Sequence, residues 1–548
     1  MMARKRMGGI LLGGWLLIGG LTGCSNTSEH DIAAVTDNAP PEQSLSLALA
    51  DEVPTLDSAK ATDELAFTLL TQTNEGLVRL DEAGKVVPGV AREWTISEDG
   101  LRYQFVLREN ALWSDGSPVT AHDFEYAWKR ALQKDTGSQY AFLMEWIKGG
   151  AEYRHEQAPL DSVSVKARDE RTLDVELAAP KPYFLEQLSF PVFFPQQKSF
   201  GEKAGDRYGG DPGTVLANGP FKLAEWLHDQ SLGLVKNDTY WDRGQVRLEQ
   251  VTYQIVKDAT AREDLYLAGV IDRTALVRDQ IARYRGNPEY MEIDELVNGY
   301  LQFNQKHRVL QNAKIRKALT YAVNGDAYAE VVYQNGTRGA TGLVPTGTSN
   351  GQGGDFRKDG GDLIDRMENG KQAKALLEAG LRELGLAKFP KLKVLGDDGD
   401  TGKKSTQFLQ EEWRTKLGIE IEVENVPFKL RLQRTAERDF DIVESLWGAD
   451  YNDPMTYLDM WVTGSDFNES GYSNVRYDAL IGQAKVEADA ARRMQLLLDA
   501  ERLLLDDMAV GPLFFRSSAV LQKPYVKKVI HRHFGPRYDL KYAYVEGK

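Results

Sequence analysis

Cysteine is almost absent from this chain: of 548 residues only Cys24 carries a thiol. No intramolecular disulfide can form, and no cysteine-rich zinc site is available. Histidine is scarce too, with seven residues. None pairs at i, i+4, H-E-x-x-H does not occur, and His531-Arg532-His533 reads as an exposed pair rather than a metal centre, so no metal is expected. Basic residues are outnumbered, 67 Lys and Arg against 81 Asp and Glu, for a formal net charge of −14. Phosphate binding needs a clustered basic surface, so this balance argues against nucleic acid as a partner. No apolar run approaches the roughly 20 residues that span a bilayer. Internal repeats and low-complexity segments are missing from the body of the chain.

What is present is the composition of a soluble globular protein, 42% hydrophobic and 27% charged. The length implies about two to four domains. The N-terminus is informative. Arg4, Lys5 and Arg6 precede a glycine-rich apolar segment, MGGILLGGWLLIGG, over 7–20. That segment is too short to cross a membrane but suits the core of a secretory signal. Leu21-Thr22-Gly23-Cys24 follows and resembles a bacterial lipobox, which makes Cys24 the expected acylated residue and residues 1–23 a lipoprotein signal peptide. Residues 24–44 are polar, carry paired prolines and lack periodicity, and read as a lipid-anchored flexible tether.

Beyond the tether, short alternating runs and amphipathic segments give an α/β or α+β class. Strands are expected at 45–49, 76–80, 86–90 and 101–107, a hairpin over 163–166 and 172–177, and a helix over 121–132 with Thr120 as its N-cap. Further strands are expected near 219–223, 232–235 and 251–256, with helices over 262–268 and 314–323. The order helix 370–385, strand 391–395, helix 405–417, strand 419–423 and strand 440–447 is a βαβ signature for a partly parallel sheet. A glycine-rich loop is expected over 345–361.

Catalytic motifs appear by letter and fail on context. Gly347-Thr348-Ser349-Asn350-Gly351 matches G-x-S-x-G but lies in that loop, without the strand and helix a nucleophile elbow requires. Gly399 to Ser405 has the wrong spacing for a phosphate loop, and Asp397, Asp398 and Asp400 would repel phosphate. The expectation is a protein that is not an enzyme and needs no cofactor.

Several stretches resemble the family-5 extracellular solute-binding proteins. They are NEGLVRL at 74–80, GVA at 89–91, LRENALWSDGSPVTAHDF at 107–124, NGPFKL at 218–223, KNDTYWD at 236–242, KIRKAL at 314–319 and WGADYNDP at 447–454. The likeness covers roughly residues 45–548 and is strongest to oligopeptide-binding lipoproteins of ABC importers. It implies an α/β, two-lobed periplasmic-binding-protein-like fold of the large three-domain type, with an extra domain inserted in the N-terminal lobe. Lobe I would comprise 45–74, 190–300 and 516–548, the inserted domain 75–189 and lobe II 301–515. Hinges would fall at the crossings Tyr300-Leu301 and Phe515-Arg516. The implied partners are an oligopeptide, the transmembrane subunits of an ABC permease, and the membrane through acylated Cys24. The protein is expected to be a monomer on the extracytoplasmic side, at the cell surface or in the periplasm.

The resemblance also proposes a role for Asp450, which ends the apolar run 440–443 behind Trp447 and Gly448. In peptide-binding relatives this aspartate pairs with the ligand's α-ammonium group, and peptide main chain runs along the preceding segment as an added strand. The alternative is that Asp450 caps the turn at Asn452-Asp453-Pro454. Trp447, Phe428, Tyr300 and Phe142 match ligand-lining positions, and Glu64 lies in a segment that faces ligand through its backbone. Leu446 stands where the family commonly has glycine, and Glu444 where some relatives carry a basic residue. Both bear on which ligands fit. A sensing protein that binds a peptide signal is the alternative function, with a hydrolase third.

Overall fold

A computed structural model describes residues 42–465 and 467–548. The signal-like segment, Cys24 and the tether up to residue 41 lie outside the described residues. The fold is mixed α/β. Among the described residues an 11-stranded sheet runs in the order Ile421–Val426, Leu392–Asp397, Ile442–Gly448, Tyr290–Phe303, Val510–Gln522, Arg273–Ala275, Ser44–Leu49, Gln250–Ile255, Ser231–Lys236, Phe221–Leu227, with Arg338–Gly339 added beside Val510–Gln522.

The βαβ expectation is met at one end. Leu392–Asp397 pairs in parallel with both Ile421–Val426 and Ile442–Gly448, and helix Asp400–Leu417 crosses over between them. Burial explains the sequence pattern: Val394, Leu395, Ile442 and Val443 are enclosed on both faces, so their strands read as apolar runs rather than alternating ones. At the other end the strands pair antiparallel and alternate, as in Gln250–Ile255, where Val251, Tyr253 and Ile255 face inward.

Two long strands join these halves. Tyr290–Phe303 and Val510–Gln522 are antiparallel neighbours, but their register breaks between Asp294 and Asn298, where three residues on one strand face Arg516 alone on the other. The loop at His533 fills that break, its carbonyl accepting the Leu296 N–H at 2.7 Å while Leu296 in turn accepts the Ala449 N–H at 2.8 Å. The apolar cores divide similarly. One gathers residues from 45–255 and 526–545; two others lie within 296–514, together with Tyr183.

Residues 91–176 carry a separate four-stranded antiparallel sheet, with helix Ala121–Leu132 against it. That helix begins where expected, because the Asp123 carboxylate accepts the backbone N–H of Thr120 at 2.8 Å. The loop expected over 345–361 is interrupted by a short helix, Phe356–Gly360, capped by Asp355. The pair expected to be exposed at 531 and 533 is also corrected: His533 is exposed, but His531 is half-buried beside Arg273, and burial with that positive charge pushes it down to about 4.

Candidate functional site

The strand Ile442–Gly448 leads into the site. On one edge it pairs with the long strand from Phe303 back to Val297, Gly448 facing Val297 and Leu446 facing Gly299. On its other edge Leu392–Asp397 reaches only Ile442 and Val443. Among the described residues, the backbone from Glu444 to Gly448 therefore has a free strand edge. Gly299 is glycine for a steric reason: a Cβ there would run into the ring of Phe514. Leu446, opposite it, is 38% exposed.

Past the end of that strand, at Gly448 to Asp450, lies a cavity of about 320 Å³. Its floor is one face of the two long strands, Ile293, Glu295 and Val297 beside Arg516, Ser518 and Val520. Trp447, Gly448 and Asp450 form one wall; Glu64, Phe67 and Tyr140 form another. The charges there are mostly matched. Glu64 pairs with Arg537 at 2.7 Å, and Glu295 with Arg516.

Arg273, which lies over the Tyr538 ring and has no carboxylate partner among the described residues, is one exception, and Asp450 is the other. Its carboxylate has no cation and accepts no hydrogen bond among the described residues. Its own N–H donates to Thr456 Oγ1 at 3.3 Å. Desolvation alone pushes the carboxyl up to about 7, and Tyr140, whose phenol is raised by burial and by the nearby Asp450 charge, faces it. The turn that follows is capped by a different acid. Asp453 Oδ1 accepts the Met455 N–H at 2.9 Å, and both Asp453 oxygens hold Arg493, at 2.7 and 2.8 Å, in a buried bidentate pair.

A second cavity, of about 660 Å³, opens from the same wall. Trp447 and Asp450 border both. Phe142, Met460 and Phe467 give it an apolar lining, and Phe467 meets Trp447 edge to face at 5.0 Å and Phe142 at 6.0 Å.

The structure thus brings Asp450, Trp447, Gly448, Phe142 and Glu64 to one connected space. Tyr300 lies elsewhere: it is 2% exposed and packs edge to face on Trp461 at 5.5 Å, inside a core. Phe428 starts the helix Phe428–Ala436 at 58% exposure and borders neither cavity. Glu444 turns away and accepts a hydrogen bond from Tyr328 at 2.6 Å. Sequence reasoning missed Tyr140, Arg537, Lys181 and Tyr183, which stacks on Tyr451; all four are distant in the chain from WGADYNDP and carry no local motif.

A mixed α/β chain of several packed parts, with a charged cleft across two crossing strands, has the architecture of a periplasmic-type solute receptor. The chain belongs to that class: the model "Bacterial extracellular solute-binding proteins, family 5 Middle" matches residues 85–469. It is 35% identical to the dipeptide-binding protein DppE of Bacillus subtilis over 494 residues, covering 90% of each chain. It is 32% identical to the oligopeptide-binding protein OppA of the same organism, over 89% of this chain and 90% of that one. Among solved structures it resembles Listeria monocytogenes OppA bound to peptide, with TM-score 0.78, 36% identity and coverage of 93% of this chain and 100% of that one. It likewise resembles the pheromone receptor PrgZ, whose mode of peptide binding was determined, with TM-score 0.79, 32% identity and coverage of 92% and 100%.

Proposed function

We propose that this chain captures peptides on the extracytoplasmic side and delivers them to an ABC permease, binding without turnover. The observation that carries this is Asp450: a desolvated carboxylate with no cation partner, on the wall of the cleft. An α-ammonium group would supply the missing charge, and a charge pair gains strength where water is scarce. The free strand edge from Glu444 to Gly448 supports a peptide main chain laid beside it, whose hydrogen bonds ignore side-chain identity. Trp447 and Gly448 would border that peptide, and Leu446 would limit the bulk it can carry. The relatives are named for dipeptide and oligopeptide binding, which agrees with this reading.

Closure fits the same picture. Residues 45–74, 190–300 and 516–548 would move as lobe I, 301–515 as lobe II, with 75–189 inserted. The bending would fall at the crossings Tyr300-Leu301 and Phe515-Arg516, next to the interrupted ladder at 295–297 opposite Arg516. Cys24 would be acylated and hold the protein at the membrane. Among the described residues no helix is long and apolar enough to cross one. Globomycin-sensitive incorporation of labelled palmitate, lost in Cys24→Ser, tests that anchor.

The decisive experiment is mass spectrometry of ligands released from the purified protein. Peptides with free N-termini are expected; recovery of only nickel chelates, glycans or opines would overturn the proposal. A second reading, peptide sensing without import, is favoured by the likeness to the pheromone receptor PrgZ. Permease-dependent uptake of a bound peptide separates the two.

A further inference from the structure

The charges bordering the second cavity cancel in pairs until two remain. Arg154 is bound to Glu145, and Lys485 holds Asp459 at 2.5 Å. Among the described residues Asp450 is left without a cation, and Lys181 without a carboxylate at ion-pair distance. Lys181 is 8% exposed as a residue, most of its side chain being packed away while it borders the cavity. Its neighbour is the Trp146 ring, 4.8 Å from Nζ to the ring centroid. A cation over an aromatic face is partly compensated, but it keeps hydrogen-bonding capacity for an anion. Burial, with Lys485 and Arg493 nearby, pushes Lys181 down to about 8, which leaves it largely protonated at neutral pH.

Direction follows from the placement. A peptide with its α-ammonium at Asp450 and its main chain along Gly448 to Glu444 runs away from the second cavity, which is bordered by Trp447, Asp450 and residues beyond them. What reaches that cavity is a side chain from the amino end of the peptide. Resting on the reading of Asp450 given above, we propose that Lys181 is a specificity-determining residue that receives the carboxylate of an acidic side chain at the first position of the peptide. The cleft would then select peptides beginning with glutamate or aspartate over their amides, with Trp447 and Phe467 packing on the side-chain methylenes.

The test is calorimetric titration of the full chain with alanine-based tripeptides: glutamyl-alanyl-alanine, glutaminyl-alanyl-alanine, the glutamyl peptide with an amidated C-terminus, and N-acetyl-trialanine. The unmodified protein is expected to prefer the glutamyl to the glutaminyl peptide by ~10-fold, as for a charge-assisted contact. Lys181→Met should erase that preference while leaving the glutaminyl peptide's affinity unchanged, which also shows that the variant is folded. Lys181→Arg should restore part of it. A preference retained in Lys181→Met, or absent from the unmodified protein, overturns the proposal. If amidation of the C-terminus, and not the glutamyl side chain, produces the Lys181-dependent loss, the carboxylate comes from the chain end and the side-chain assignment falls. Tight binding of N-acetyl-trialanine would instead reject the role of Asp450, whatever Lys181 does. No binding of any peptide by the unmodified protein counts against both.

Discussion

Tyr183 and Tyr451 stack face to face, their centroids 4.3 Å apart and their planes within 5°. Tyr451 directly follows the unpaired Asp450, while Tyr183 stands at the start of the short helix Phe184–Gln187. Trp146 closes on both rings edge-on, and the Asn452 N–H donates to Glu186 at 3.2 Å beside them. The segment that carries Asp450 is therefore packed against aromatic surface supplied by Trp146 and Tyr183.

An aromatic pair of this kind contributes roughly 0.5–1.5 kcal/mol beyond its area. Tyr183→Ala is expected to weaken peptide binding by ~2–10-fold, chiefly through faster release, because the stack holds in place the segment that carries Asp450, the proposed anchor. Stopped-flow displacement of a bound fluorescent peptide measures this. An unchanged release rate would show that the stack plays no part in retention.

Asp450 should show opposite effects on binding and on stability. Asp450→Asn is expected to weaken peptide binding by at least ~10-fold, since one partner of an enclosed charge pair is lost. In the empty cleft the carboxyl sits near 7, above its unfolded value of 3.8. The folded state then holds a proton that the unfolded state has lost between these values, so this group makes folding less favourable as pH rises from about 4 to about 7. Asp450→Asn removes that cost and should raise the melting temperature of the ligand-free protein at pH 8, by about 1–3 °C for a chain of this size, and by less at pH 4. Binding should weaken as pH falls below 7 and release a proton, readable as a buffer-dependent enthalpy at pH 6.

Three residues on, Asp453 should behave in the contrary way. Its bidentate pair with Arg493 is buried, and Arg493 also lies 5.3 Å from the Tyr183 ring centroid. Asp453→Ala leaves a buried guanidinium uncompensated and is expected to cost about 3–5 kcal/mol, seen as a lower denaturation midpoint at neutral pH. A loss below about 1 kcal/mol would mean the pair is effectively hydrated.

Leu446 lies on the free strand edge, where the resemblance implies glycine. Leu446→Gly should strengthen binding of peptides with bulky side chains by up to ~10-fold, leaving trialanine unchanged, at a stability cost of about 1 kcal/mol for glycine within a strand. Competition titrations with trialanine and triphenylalanine check this; equal changes for both would show that Leu446 does not shape the track.

Much of the fold was legible because it rests on local pattern. The helix Ala121–Leu132 and its cap, the hairpin of Val165–Ala167 with Thr172–Glu176, and the parallel strands around Asp400–Leu417 follow from periodicity and turn residues. The helices Glu64–Thr73 and Ala490–Asp506 were not read from the sequence, although both are capped by an aspartate. Within the site, WGADYNDP pointed to Asp450 and Trp447. It could not place Tyr300 in a core, nor bring Lys181 to the same cavity as Asp450.

The sequence by itself determined the α/β class and pointed to the motif that carries Asp450, because alternation, caps and short motifs act over a few residues. Only the tertiary structure decided which of two acids in that motif stays unpaired. Asp453 meets Arg493, forty residues on, in a buried ion pair; among the described residues Asp450 meets no cation, which is why we propose it for a ligand's charge. That division depends on which side chains the packing of distant segments delivers to each carboxylate, and desolvation gives it force.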